Sequence, residues 1–412
     1  MLGGIGRAFS SRNYRTYWIG NALSLVGTWA HRVAVGWLTW ELTQSAMWLG
    51  VIAFAELFPT MIIAPIAGAI ADRGDYKRLM MVCQILSGLQ AALLAGFVYT
   101  GQITIEIVFG LTLVLGTILG FHTPIRMALV PSLVEREELS AAIALSAATF
   151  NGARFVGPAI AGVVIVWGGV APAFALNSLS YAIFVFALTR VRLKPRIRDE
   201  ESQKTSLLGD LTDGIRYVYG HFGIRSLLIL IFATSFFLRP FAELLPCFAD
   251  NVFHRGAEGL AMMTSSAGLG AMTGGLWLAQ RGRTEGLTKI LTVAILLGII
   301  GLLAFTSSEI FWIGLICLVL AGFSIVVIGI STQTMVQNAV DGAMRGRVMS
   351  LYGVINRGGP AFGALIMGWL ASDLGLAMPV AGGALLALFV WIWACYLTLR
   401  AKSELEQESP NH

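Results

Sequence analysis

Gly68-Ala69-Ile70-Ala71-Asp72-Arg73-Gly74-Asp75-Tyr76-Lys77-Arg78 is a tight charged knot in a chain that is otherwise mostly apolar. An apolar run from about Met47 to Ala71 ends in it, and a second begins at about Leu79. A compact loop with two acids and three bases, wedged between two membrane-length runs, belongs at a membrane surface. The whole composition agrees. The 412 residues are 56% hydrophobic and only 12% charged, whereas a soluble domain has about 25% charged residues. The bilayer is therefore the solvent.

A spanning helix needs about 20 residues, so twelve helices with short loops fit this length. The predicted spans are 15–40, 46–71, 79–100, 103–127, 139–167, 170–190, 223–248, 259–280, 287–306, 309–335, 346–372 and 377–400. They are helices because lipid offers no partner to unpaired backbone groups and the runs are too long for barrel strands. The expected fold is an all-α membrane protein, twelve transmembrane helices in two six-helix pseudo-repeats. No cleavable signal is expected, since residues 1–11 are short and the apolar run after them is too long for a signal core.

Charge sets the orientation. Arg7, Arg12 and Arg15 precede span 1; Arg73, Lys77 and Arg78 follow span 2; Arg136 follows span 4. Arg281, Arg283, Lys289, Arg345, Arg347, Arg400 and Lys402 fall on the same side, while the opposite loops hold only Arg255. Both termini are expected in the cytoplasm. The net charge of +5 reflects these loops rather than a nucleic-acid partner. Cys83, Cys247, Cys317 and Cys395 are scattered, with no metal spacing and no disulfide framework.

The long break at 191–222 separates an N-terminal half, 1–190, from a C-terminal half, 223–400, with a tail at 401–412. Within the break, Leu207, Leu208, Leu211, Ile215 and Val218 have the spacing of a helix lying on the inner membrane face. The halves read as distant repeats. Gly157-Pro158-Ala159 and Gly359-Pro360-Ala361 recur near the same depth in spans 5 and 11, and Gly275–Arg283 holds a decayed copy of the opening motif. Transporters that rock around a midplane site carry such parallels.

Gly68-x-x-x-Asp72-Arg73-x-x followed by a basic pair resembles the signature loop between helices 2 and 3 of the major facilitator superfamily. Tyr76 stands where the first base of the usual pair is expected, and Lys77-Arg78 supply the charge. Tyr14-Arg15-x-Tyr17-Trp18-x-Gly20, Gly27-Thr28-Trp29, Ala34-Val35-Gly36-Trp37, Glu41-Leu42-Thr43, Pro59, Val130-Pro131-Ser132-Leu133-Val134 and Glu138-Leu139-Ser140 resemble the bacterial efflux branch with enterobactin exporters and macrolide efflux proteins. That resemblance implies a proton-coupled exporter in the bacterial inner membrane. The gating motif would comprise Gly68, Asp72, Arg73, Asp75, Lys77 and Arg78, with Asp72 meeting the start of span 11 near Arg345 or Arg347. Gly157-Pro158-x-x-x-Gly162 resembles the superfamily's antiporter motif in degenerate form; close helix packing is the alternative reading.

Arg32, Glu56, Arg154, Arg239, Glu243 and Arg357 fall well inside predicted spans. A charge in the membrane interior is costly, so each faces a cavity or a partner. Arg32 and Glu56 lie at matching depths and can pair; Arg239 and Glu243 are spaced i,i+4 and are expected to share a face. Glu56 and Glu243 are the candidate proton carriers, because a desolvated acid holds its proton and a nearby arginine takes that hold away. Arg32, Arg239, Arg154 and Arg357 are the candidate cargo contacts; structural ion pairing is the alternative. Arg126 reads as structural, meeting the Asp72 loop or phospholipid headgroups. Trp18, Trp29, Trp37, Trp40 and Trp48 crowd the first hairpin.

There is no Gly-x-x-x-x-Gly-Lys-Ser/Thr loop and no nucleophile–base arrangement, so no enzyme, cofactor or metal is expected. Four arginines against two glutamates favour an anionic or aromatic cargo such as a siderophore. A macrolide or multidrug pump is the first rival; a non-transporting scaffold or sensor is the second, disfavoured by the intact motif. The expected partners are cargo, protons and lipid, and the expected state is a monomer.

Overall fold

A computed structural model describes residues 9, 11–73, 75–193, 207–342 and 344–406; the side chains of 65, 68–73, 136, 207–211 and 403 lie outside the description. The described residues form helices and no strand. In chain order they are α1 Arg12–Thr43, α2 Ala46–Arg73, α3 Tyr76–Tyr99, α4 Ile105–Leu129, α5 Leu139–Gly168, α6 Val170–Arg190, α7 Leu207–Gly220, α8 Phe222–Val252, α9 Gly256–Arg281, α10 Leu287–Thr306, α11 Phe311–Ala339, α12 Arg345–Leu374, α13 Ala377–Arg400 and the short α14 Lys402–Leu405. Each predicted span coincides with one long helix. Nine of these pass a strict test of length and apolarity. The three that do not are α1, α9 and α12. They carry polar groups such as His31 and Arg32, a Gly/Ser/Thr-rich face, and Arg345, Arg347 and Arg357. A helix walled in by other helices need not be oily all round.

Within the first half α1 packs on α5 and α6, α2 on α4, and α3 on α6. Within the second α9 and α10 pack on α11, and α13 on α10. The halves meet by a mirrored pair of seams, α2 along α12 and α5 along α9. Both seams need bare backbone. A side chain at Gly50 would strike the Ala364 carbonyl, and one at Gly268 the Arg154 carbonyl. Removing Cβ lets helices approach within backbone contact, which is how membrane helices gain packing without a hydrophobic drive. At the end of the bundle away from the charged motif, Trp40 Nε1 donates across the halves to Asp250 Oδ2 at 2.8 Å.

At the motif end, Asp75 caps α3: its Oδ1 accepts from the amides of Lys77 (2.9 Å) and Arg78 (3.3 Å). Lys77 Nζ donates to the Val191 carbonyl at 2.7 Å, tying the start of α3 to the end of α6. Tyr76 is buried in the aromatic core of the first half beside Tyr14, Tyr17 and Phe184. That explains the departure from a basic residue at this position: the side chain points inward, where a charge would be costly. The side chains of Gly68, Asp72 and Arg73, and all of Gly74, lie outside the described residues. Arg347, one expected partner of Asp72, places Nη1 3.3 Å from Asp213 Oδ2 on α7. Tyr217 of α7 donates to Asp341 Oδ2 at 2.9 Å. The helix expected in the 191–222 link is thus docked on the foot of α12; Leu207, Leu208 and Leu211 fall among the undescribed side chains.

The second half is clasped by its own tail. Glu406 accepts from the Gly286 amide (2.6 Å) and the Thr288 amide (3.0 Å) at the start of α10, and from the Thr288 hydroxyl. Burial alone would raise this carboxyl, but those hydrogen bonds and the Lys402 ammonium draw it below its ordinary value. A lowered folded value means stability that is present above about pH 4.3 and lost as pH falls through the folded value. Glu406→Gln should therefore lower the melting temperature at pH 7 and flatten its fall between pH 5 and 3, read by thermal unfolding in detergent. An unchanged acid limb would show that the clasp carries no stability.

Candidate transport site

The site is built on a break in α8. After a regular stretch Phe222–Ala233, the chain passes through a π turn Thr234–Leu238, a 3-10 stretch Arg239–Leu244, one α turn Leu245–Cys247 and a second π turn Phe248–Val252. Pro240 and Pro246 cause it. Proline lacks the N–H and its ring clashes with the carbonyl four residues earlier, so the ladder shifts register on either side. The Phe236 carbonyl abuts the bare backbone at Gly363 of α12.

The break changes which side chains share a face. In the 3-10 stretch four residues advance well past a full turn, so Arg239 and Glu243 part instead of stacking. This corrects the expected i,i+4 face. Glu243 reaches across the halves: Arg32 Nη2 donates to its Oε1 at 2.7 Å. Glu56 Oε2 lies 3.8 Å from Arg32 Nε, the pairing that matching depths suggested. One guanidinium from α1 therefore serves two carboxylates, one in its own half and one in the other. The three side chains keep only 31%, 17% and 20% of their exposure, so this is a half-buried network and not a surface pair.

Arg154, Arg239 and Arg357 have no carboxylate within ion-pair distance among the described residues. Arg239 Nη1 donates to Asn356 Oδ1 at 2.6 Å and to its carbonyl at 3.0 Å. Arg357 Nη1 donates to the Thr60 carbonyl at 3.4 Å. Arg154 lies over the Trp29 ring, 5.4 Å from its centre, and Arg32 is 5.8 Å from the same centre. His31 is buried edge-on to Phe174, with neither ring nitrogen hydrogen-bonded. Of the crowded tryptophans, Trp18 donates to Thr149, Trp37 to Glu41 and Trp40 to Asp250. Trp29 stands between two arginines.

The Gly157-Pro158-x-x-x-Gly162 stretch divides its contacts. Gly157 lies against the Trp29 side chain and the Val26 carbonyl of α1, inside its own half. Gly162 faces Ala261 of α9 across the seam. Sequence reasoning missed the Arg32–Glu243 link and the roles of Asn356 and Thr60. Pro240 and Pro246 flanking Glu243 were the available signal for the first.

Comparison with known proteins decides the family. The model for the family described as transmembrane secretion effector matches residues 7–412. The chain belongs to that family. It is a major facilitator transporter, a multi-pass membrane protein and not an enzyme. Relatives of this transmembrane secretion effector include the staphyloferrin A transporter of Staphylococcus aureus, 25% identical over 94% of this chain and 96% of that one. Macrolide efflux protein A of Streptococcus pyogenes is 23% identical over 88% and 90%. The enterobactin exporter EntS of Escherichia coli O81 is 26% identical over 84% and 80%. The fold is similar to that of a bacterial homolog of the human lysosomal transporter Spinster in an inward-facing, unoccupied conformation, with TM-score 0.71, 14% identity and coverage of 96% and 98%. The nucleoside transporter NupG is also similar, with TM-score 0.63, 15% identity and coverage of 95% and 99%.

Proposed function

We propose that this chain exports a small anionic aromatic molecule, siderophore-like, across a bacterial inner membrane in exchange for protons, with both termini in the cytoplasm. One observation carries the reading: Glu56 and Glu243 both converge on Arg32, which leaves Arg154, Arg239 and Arg357 in the interior without a carboxylate at ion-pair distance among the described residues. An uncompensated guanidinium inside a membrane is costly, so it marks a place where an anion completes the charge balance. Arginine offers a planar fork for a carboxylate or catecholate and a flat face for a ring. The staphyloferrin A transporter and the enterobactin exporter among the relatives support a siderophore-like cargo.

The coupling step follows from which bonds stay within a half. Rocking leaves Arg32–Glu56 intact and separates Arg32 from Glu243. A carboxylate parted from its guanidinium in a cavity carries an unpaired charge that a proton removes. The proton is then taken up at Glu243 in the form where the pair is open and given back when the pair re-forms, while cargo loads the arginines in the form that faces the other way, which is antiport.

The macrolide efflux relatives favour a second reading, a drug pump for cationic amines. Purified protein in liposomes with an imposed proton gradient separates them. The first reading expects uphill movement of a catecholate and little of a macrolide, and the reverse result replaces it with the second.

The Asp72 turn is proposed as the latch of the form closed at the motif end, gripping Arg345 or Arg347 at the foot of α12. Asp72→Asn is then expected to cut export several-fold while leaving membrane insertion and far-end contacts such as Trp40–Asp250 intact. Wild-type export by that variant would exclude the latch.

A further inference from the structure

Arg126 has no acid within ion-pair distance among the described residues; its expected contact with the Asp72 loop falls on side chains outside the description. Its guanidinium carbon lies 5.8 Å from the centre of the Phe150 ring. Phe150 in turn stands edge-on to Trp29, with ring centres 5.7 Å apart. Trp29 carries Arg154 at 5.4 Å and Arg32 at 5.8 Å. The sequence of contacts Arg126–Phe150–Trp29–Arg154/Arg32 is unbroken. It starts three residues before the end of α4 at the motif end and finishes at the Arg32–Glu243 pair between the halves. Two helix spacings build its upper part, Phe150 to Arg154 on α5 and Trp29 to Arg32 on α1, so each ring and its cation share a face.

We infer that this ladder is a second binding site, a vestibule subsite at Arg126–Phe150 that takes an aromatic anion and hands it along Trp29 to the central arginines. The inference rests on the anionic-cargo reading above. The chemistry is specific. An arginine held against ring faces, with no carboxylate at ion-pair distance among the described residues, is fixed in place with N–H donors to offer an anion. Phe150 is 37% exposed, so its ring still offers a surface for stacking. An aromatic acid satisfies both at each rung. An aromatic cation can stack on the same rings but is repelled by Arg126, Arg154 and Arg32 in turn. Alternation also keeps each step short, because the donors of one rung and the ring of the next are neighbours.

The test uses one ring with two charges. Binding of naphthalene-2-sulfonate and of 2-naphthylmethylammonium to the full chain in nanodiscs is measured by calorimetry at low salt. Wild type should bind the sulfonate more tightly. Arg126→Gln and Phe150→Leu should each weaken the sulfonate about three- to tenfold, the size of a partly exposed cation or stacking contact, while Arg126→Gln leaves the ammonium unchanged or tighter. Arg126→Lys should restore part of the loss. If both variants bind the sulfonate as wild type does, the ladder is only packing and the vestibule is excluded while the central site stands. If wild type itself prefers the ammonium, the cargo reading fails and the vestibule with it. Melting temperatures near wild type identify folded variants, and Phe150→Leu reads the same subsite should Arg126→Gln unfold.

Discussion

Glu243→Gln is expected to abolish uphill export while leaving cargo binding within a few-fold of wild type. Glu243 is the acid whose bond to Arg32 crosses the halves, at 2.7 Å. Glu56 lies 3.8 Å from Arg32 within the same half, so on the proposed rocking motion that contact is not the one to part. The proton therefore has reason to come and go at Glu243. Glutamine keeps the shape and one hydrogen bond to the guanidinium but cannot change charge. One proton moved through about 100 mV is worth about 2.3 kcal/mol, or roughly fiftyfold in concentration ratio. That accumulation should vanish in proteoliposomes given a pH gradient of the same size with the membrane potential held at zero, leaving downhill movement only. Glu56→Gln should cost less, because Arg32 retains its cross-half partner. Should Glu243→Gln concentrate cargo normally while Glu56→Gln does not, the carrier is Glu56.

Much of this geometry was legible from the chain, and the reason differs by residue. The twelve spans stood out because lipid requires long apolar helices, and a charged turn such as Asp72–Arg78 punctuates them unmistakably. The Arg32–Glu56 contact came from depth alone, since both lie on unbroken α-helices of one half where residue counts convert to height. The same arithmetic failed at α8. Counting four residues from Arg239 to Glu243 assumes an α-helix, and Pro240 and Pro246 remove the hydrogen bonds that make one. Cross-half contacts were out of reach for another reason. Arg32 and Glu243 are 211 residues apart, and which faces of α1 and α8 meet depends on the tilt of whole halves. The ladder from Arg126 was hidden likewise, because it joins α4, α5 and α1 through side-chain direction and not through spacing.

Arg239→Ala is expected to lose anionic cargo and to spare a cationic one. Arg239 comes from α8, facing the half that supplies Arg32 and Arg154, so cargo between them is gripped from both sides. Its fork is aimed by Asn356, whose side chain and carbonyl both accept from Nη1, and that leaves the other amino group for a ligand. Losing one charged hydrogen bond costs about 1.5–3 kcal/mol, roughly ten- to a hundredfold in affinity. Arg239→Lys keeps the charge but cannot bridge Asn356 and a carboxylate in fork geometry, so it should rescue only in part. Asn356→Ala removes the aim without the charge and should fall between the two. The measurement is export of a catecholate and of a cationic macrolide from the same vesicles. Removing a positive charge from the cavity leaves Glu56 and Glu243 less opposed, so macrolide movement should hold or rise as catecholate movement falls. If Arg239→Ala instead impairs the macrolide and spares the catecholate, the arginines are scaffolding, the acids hold the cargo, and the chain is a drug pump.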